Sequence, residues 1–172
     1  MSARQKQLTL RGTVTHRPDA NTLLTGPGSA ALVRRGVDRS LVISCPDGCG
    51  EELTINLDPR SGPAWRFYNT DGGVSLYPSV WRKTGCRSHF IVWRSCIYWC
   101  DWDDELETPN ESMIARTLAL LGPSYQPYLI LAARLEVVPW EALAACATLV
   151  RRGKAERRLG RDATEFRLTS DP

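Results

Sequence analysis

The chain has 172 residues, of which 42% are hydrophobic and 24% are charged, with a formal net charge of +3 at pH 7. These values are ordinary for a soluble globular protein with one domain or two small ones, and the charge is too small to indicate nucleic-acid binding by itself. No apolar run approaches the roughly 18 residues that span a bilayer, and the first residues do not resemble a signal peptide. We therefore expect a cytoplasmic protein, in which six cysteines favour metal binding or catalysis over disulfides.

The first hundred residues predict a β domain. Short segments rich in β-branched and aromatic residues alternate with turn sequences such as GPGS, PDGCG and TDGG. Between residues 16 and 28 we expect a loop with about one helical turn. The predicted strands are 8–16, 30–35, 40–45, 52–57, 64–69, 74–80 and 89–99.

An acidic segment follows, and it predicts a domain boundary. Five acidic residues lie between Asp101 and Glu107, and Pro109 follows them. Such a run is typical of a solvated linker. We therefore divide the chain into a β domain over residues 1–100, a linker over 101–109 and a second domain over 110–172.

Beyond the linker the apolar residues recur at helical spacing. The segments 110–122, 125–137 and 138–153 predict three helices, with Asn110 as an N-cap and Pro139 at a first helical position. The segment 154–169 predicts two strands around a turn at 160–162. The fold class is therefore α+β.

The order of these C-terminal elements resembles a known domain. Helix, helix, short turn, helix and β-hairpin is the order of a winged helix-turn-helix. The stretch LVRRGKAERRLGRDATEFRLT is similar to the passage from the third helix into the wing of such domains. The resemblance covers about 60 residues and implies a winged-helix domain over 110–172.

Four side chains in the β domain predict a zinc site. Cys45 and Cys49 flank a tight turn in SCPDGCGEE, and Cys86 and His89 lie close together in TGCRSHF. Zinc favours thiolate and imidazole ligands in a tetrahedral shell. Two short-spaced pairs therefore predict a zinc-ribbon-like site in which two hairpin tips meet. The alternative is that these are small buried cysteines and a surface histidine.

The ligand set leaves two questions open. Cys96 and Cys100 could approach the metal, although the residues around them favour a role in packing. Four protein ligands would leave no open position, which favours a structural zinc over a catalytic one. A hydrolase would need Glu51 or Glu52 beside an open metal position. We therefore assign no catalytic residue and expect a protein that is not an enzyme.

The β domain also resembles a bacterial family of unknown function. The similarity covers roughly residues 28–100 and is carried by the cysteine knuckle, LYPSV and CRSHF. Members often read Cys-Pro-Cys-Gly-Cys at the knuckle, where this chain has Asp47 in the middle. Genes of that family tend to lie beside ubiquitin-like modifier, activating and conjugating genes. The resemblance implies an accessory role in modifier conjugation.

The C-terminal domain suggests a binding surface. The third helix carries Trp140 and Ala144 on the face opposite its main apolar set, and the wing carries Arg157 and Arg158. An exposed Trp and Ala patch suits a protein partner better than a DNA groove. We therefore expect an adaptor, with Zn²⁺ and protein partners such as a ubiquitin-like modifier or its activating and conjugating enzymes. The alternatives are a DNA-binding winged-helix regulator and a zinc-dependent hydrolase.

Overall fold

The computed structural model describes residues 3–169, and the chain divides into two compact units, Met1–Asp104 and Glu105–Pro172. Both strands and helices are present, so the predicted α+β class is confirmed. The division falls within the acidic segment, whose first part belongs to the first unit. There Asp104 accepts hydrogen bonds from the Trp99 backbone N–H at 3.0 Å and from Lys6 Nζ at 2.6 Å.

The first unit contains two four-stranded sheets, and the first of them follows chain order. Strand β1 is parallel to β2, whereas β2, β3 and β4 pair in antiparallel fashion. A 3₁₀ helix over Arg17–Leu23 makes the crossover that a parallel pair requires. The strands are β1 (Thr9–Val14), β2 (Ser29–Arg35), β3 (Val37–Ser44) and β4 (Glu52–Asn56).

The second sheet is antiparallel throughout and also follows chain order. The single strand predicted over 89–99 is wrong, because the chain turns at Arg94 and Ser95, which have φ angles of 52° and 60°. A two-residue turn with positive φ joins adjacent antiparallel strands. The strands are β5 (Arg66–Thr70), β6 (Gly73–Trp81), β7 (His89–Trp93) and β8 (Cys96–Trp99).

One continuous apolar cluster draws side chains from both sheets. Alternate residues of each strand point into it, as a strand period of two dictates. A smaller cluster, in which Ala20 of the 3₁₀ helix takes part, covers part of the first sheet. The largest fully buried side chains of the main cluster are Trp99, Phe90, Leu8, Leu32, Leu41, Ile43, Leu76 and Ile97.

A buried carboxylate stabilises the segment after β4. The side chain of Asp58 is 3% exposed and forms ion pairs with Arg60, at 2.9 Å, and with Arg39. It also caps the 3₁₀ helix Pro59–Ser61 by accepting a hydrogen bond from the Arg60 backbone N–H. The Arg60 side chain is the main cause that lowers the pKa of Asp58, and Arg39 lowers it further.

This carboxylate predicts a pH-dependent contribution to stability. A lowered folded-state pKa stabilises the fold above the unfolded-state pKa, near 4, and this contribution is lost as the pH falls through the lower folded value. We expect Asp58→Asn to lower the urea midpoint at pH 7 and to reduce the difference in midpoint between pH 7 and pH 3. Equal pH dependence in the variant and the parent, measured by tryptophan fluorescence, would contradict this.

The second unit has three helices and a small sheet. A two-residue strand between the first two helices pairs with the second strand of the C-terminal hairpin, so the sheet order is β10-β11-β9. The winged-helix assignment stays a prediction. No helix in residues 3–169 has the length and apolarity needed to cross a membrane. The elements are α1 (Glu111–Leu120), β9 (Gln126–Pro127), α2 (Tyr128–Leu135), α3 (Pro139–Arg151), β10 (Ala155–Leu159) and β11 (Thr164–Leu168).

The structure buries the face of α3 that the sequence predicts to be exposed. Trp140 is 5% exposed and Ala144 is 3% exposed, so neither presents an apolar patch on the unit's surface. The reason is that α3 packs against both α1 and α2 and therefore buries two faces. Arg157 and Arg158, in contrast, are exposed on β10.

Candidate metal centre and serine–histidine pair

Three cysteines of the first unit come together at the tips of two turns. The Sγ atoms of Cys45, Cys49 and Cys86 all lie within 4.8 Å of one another, and such a group could hold a metal ion. Cys45 Sγ and Cys86 Sγ are 3.7 Å apart. His89, the predicted fourth ligand, is not part of this group. Cys96 and Cys100 also lie outside it.

Local turn chemistry brings the thiols to one point. After β3, the Gly48 backbone N–H donates to the Cys45 carbonyl at 3.0 Å, and Gly48 has a φ of 80° that favours glycine. The second turn connects β6 to β7 and is closed by a hydrogen bond from the Arg82 backbone N–H to the Ser88 carbonyl at 2.9 Å. Cys86 projects from this second turn toward the first.

The spacing of the thiols fits a tetrahedral zinc ion. A Zn–S distance of about 2.3 Å gives an edge of about 3.8 Å between two sulfur ligands in a tetrahedron. The 3.7 Å separation of Cys45 Sγ and Cys86 Sγ is close to that edge. Three soft donors also suit zinc better than magnesium or calcium, which prefer oxygen.

The surroundings of the thiols set their charge. Burial is the main influence on Cys45 and raises the pKa of its thiol to about 12. Burial also acts to raise the pKa of Cys86, but hydrogen bonds from Ser88 and from the other two cysteines outweigh it and lower that pKa to about 7. Arg82 Nη1 lies 3.2 Å from Cys86 Sγ and 3.5 Å from Cys49 Sγ. This guanidinium offsets the negative charge that metal-binding thiolates carry.

The carboxylates near the first turn are already engaged. Glu51 forms an ion pair with Arg82, and Glu52 forms one with Arg17 at 2.8 Å. A general base in a zinc hydrolase needs a carboxylate that can accept a proton from metal-bound water. The arginine contacts of both residues oppose that role.

His89 makes its polar contact with a serine. Ser79 Oγ lies 3.0 Å from His89 Nε2, which is hydrogen-bonding distance. Ser79 lies near the end of β6 and His89 begins β7, and both side chains are half-buried. A serine hydroxyl bonded to an imidazole nitrogen is the arrangement of a nucleophile and its general base.

A bulge in β6 directs the Ser79 side chain toward His89. The β6–β7 register pairs Leu76 with Val92 and Val80 with Phe90, so three residues of β6 stand opposite one of β7. Ser79 belongs to this bulged segment, which also contains the cis peptide bond Tyr77–Pro78. Bulges turn side chains away from the regular pleat and are frequent beside active sites.

Two tryptophans surround the pair. Trp65 Nε1 donates a hydrogen bond to the Ser79 carbonyl at 3.3 Å, which fixes the backbone beneath the hydroxyl. Trp81 stacks on the His89 ring with centroids 5.5 Å apart and an interplanar angle of 28°. Within residues 3–169, no carboxylate hydrogen-bonds to His89. Ser79 and His89 form a hydrogen-bonded pair, called the dyad.

A family model matches residues 14–100, which is half of the 172-residue chain, and its description is bacterial ubiquitination-like system serine protease (BubE). The chain belongs to this family. The BubE family ties the protein to a bacterial ubiquitination-like system, and the matched residues include the three thiols and the Ser79–His89 pair. No curated protein and no solved structure matches the chain.

The thiols of the site are predictable from the sequence, whereas Ser79 is not. Ser79 lies in LYPSV, one of the motifs that carry the family resemblance, but its residue type alone indicates no catalytic role. A signal was present, because a serine that directly follows a tyrosine–proline step precedes a histidine by ten positions. Catalytic serine–histidine pairs are recognised by their geometry and not by their sequence spacing. The spacing of Ser79 and His89 therefore identifies no catalytic pair until the pairing of β6 with β7 is known.

Proposed function

We propose that this protein is a serine hydrolase of a bacterial ubiquitination-like system, with Ser79 as nucleophile and His89 as general base. The observation that carries the proposal is the 3.0 Å contact between Ser79 Oγ and His89 Nε2. The description of the family supports it, since it names a serine protease. The substrate class is an acyl bond, peptide or ester, in a protein of that system.

The chemistry would follow from the dyad. Ser79 Oγ attacks the substrate carbonyl carbon while His89 Nε2 takes the hydroxyl proton. The resulting imidazolium returns this proton to the leaving amine or alcohol, which departs as the acyl–serine ester forms. Water then attacks that ester with His89 again as base, and the acid and the free serine are released.

The thiol cluster has a structural role in this proposal. The segment 82–88 connects the strand of Ser79 to the strand of His89, and Cys86 lies within it. A zinc ion on Cys45, Cys49 and Cys86 would tie this connection to the turn after β3 and so hold the two ends of the dyad in register. His89 is then free to act as a base.

A serine-directed fluorophosphonate tests the proposal without a known substrate. We expect the protein to acquire one adduct per chain, on the peptide that contains Ser79, in intact-mass and peptide-mapping measurements. Ser79→Ala should remove the adduct. The matched control is Ser61→Ala, an exposed serine of the same unit, which should label like the parent. Absence of labelling in the parent protein, or an adduct that persists in Ser79→Ala, would overturn the assignment.

The adaptor is the second candidate, and a hollow in the second unit favours it. This hollow of about 330 Å³ is lined by several apolar side chains and by two arginines, Arg151 and Arg157. A protein segment with apolar and acidic side chains would suit it. Capture of the system's modifier or enzymes, with loss in Arg157→Ala, is the test of this role. The hollow is lined by Glu105, Leu106, Leu143, Ala144, Ala147, Arg151, Arg157, Thr164 and Phe166.

The DNA-binding alternative receives less support. Arg158 pairs with Glu165 at 2.7 Å, and Arg167 pairs with Glu156 at 2.6 Å. These carboxylates neutralise part of the hairpin's positive charge, on which phosphate binding depends. We therefore expect no sequence-selective DNA binding near physiological salt.

A further inference from the structure

Trp81 is a large apolar side chain left open to solvent beside the dyad. It is 62% exposed and lies opposite His89 in the β6–β7 register. Ser79 is two residues earlier on the same strand, and the bulge in β6 brings its hydroxyl to the same imidazole ring. The indole of Trp81 and the hydroxyl of Ser79 therefore both contact the imidazole.

A catalytic serine–histidine pair needs a third group that keeps the imidazole ring in the correct orientation. In a triad this is a carboxylate, which orients the ring and stabilises the imidazolium that forms when the serine loses its proton. Within the described part of this chain, no carboxylate hydrogen-bonds to His89. The indole of Trp81 is stacked directly on its ring.

We infer that Trp81 is a positioning residue, which orients the His89 ring and stabilises its imidazolium as a carboxylate does in a triad. This inference rests on the proposed function. The flat contact, with rings inclined by 28°, restricts rotation of the imidazole and keeps Nε2 directed at Ser79 Oγ. The indole face also carries negative charge density, which attracts the imidazolium once it forms.

The neighbouring charges are cationic. Lys83 Nζ lies 5.8 Å from the centroid of the same indole ring, and Arg82 is engaged by Glu51 and the thiols. The ammonium of Lys83 approaches the indole ring and takes no part in the stack between Trp81 and His89. Removing that ammonium therefore leaves the stack on His89 in place.

The test compares Trp81→Ala with Trp81→Phe. We expect Trp81→Ala to slow fluorophosphonate labelling of Ser79, and to lower kcat for p-nitrophenyl acetate, by about 3- to 30-fold. KM should change little, and Trp81→Phe should restore most of the rate because it keeps an aromatic face. Lys83→Ala is the matched control on the same ring and should stay within about twofold of the parent. Circular dichroism and metal content establish that each variant is folded.

The outcomes separate this inference from the proposed function. Parent protein that labels at Ser79, with Trp81→Ala labelling at the same rate, overturns the inference alone. A rise in KM without a fall in kcat also overturns it, because Trp81 would then be a substrate contact. Parent protein that does not label at all overturns the inference together with the proposed function.

Discussion

Replacing His89 with alanine is expected to lower the rate of Ser79 acylation by at least about 10³-fold, because the serine loses the base that accepts its proton. The metal content should stay at the parent value. The reason is that His89 Nε2 contacts Ser79 Oγ, whereas the group that could hold a metal ion consists of Cys45, Cys49 and Cys86. Fluorophosphonate labelling and elemental analysis of the same sample measure both quantities.

The other histidine supplies the control. His16 is exposed and makes no side-chain cap of the helix that it precedes. His16→Ala should leave labelling and metal content unchanged. Loss of the metal in His89→Ala would instead assign His89 to the metal as the fourth ligand, as the sequence predicts, and would remove it from the role of base.

Removal of the metal is the second change with a large expected effect. We expect about one zinc per chain, and its loss should cost on the order of 10 kcal/mol of folding free energy, the range of structural zinc sites. Cys86→Ser, or chelation, should unfold the first unit while the helices of the second unit keep their protection from hydrogen exchange. The physical reason is that the second unit contributes none of the three thiols.

Cys96→Ser is the matched control for Cys86→Ser. Both cysteines are half-buried in the same unit, but only Cys86 belongs to the thiol cluster. Cys96→Ser should therefore keep the metal and the fold. Retention of metal in Cys86→Ser with loss in Cys96→Ser would show that the ligand set is wrong, and a first unit that stays folded without metal would contradict a structural role.

In the second unit, the sequence predicted well the features that depend on a few adjacent residues, such as helix caps and helix starts. Asn110 caps α1 by accepting a hydrogen bond from the Met113 backbone N–H at 2.8 Å, and α3 begins at Pro139. These features depend on a few adjacent residues. The burial of Trp140 was not predictable in this way, because the spacing of apolar residues does not reveal that a helix packs on two sides.

Prediction from the sequence was limited in the same way at the candidate site of the first unit. The cysteines were predictable because thiols in short-spaced turns carry a chemical signal of their own. Ser79 is an ordinary residue type, and only the bulged β6–β7 register brings it to His89. The turn at Arg94–Ser95 was missed for a related reason, since neither residue is a glycine or an asparagine.

The residues of the site are separated by different distances along the sequence, and these distances determine the order in which the site assembles. Ser79 and His89 are ten residues apart and lie on one hairpin, whereas Cys45 and Cys86 are separated by 41 residues. Closing a short loop costs less chain entropy and takes less time than closing a long one. During folding the serine can therefore meet the histidine as soon as β6 and β7 pair. The thiols meet only when the two sheets have come together, so a metal ion held by them would be the last component to enter.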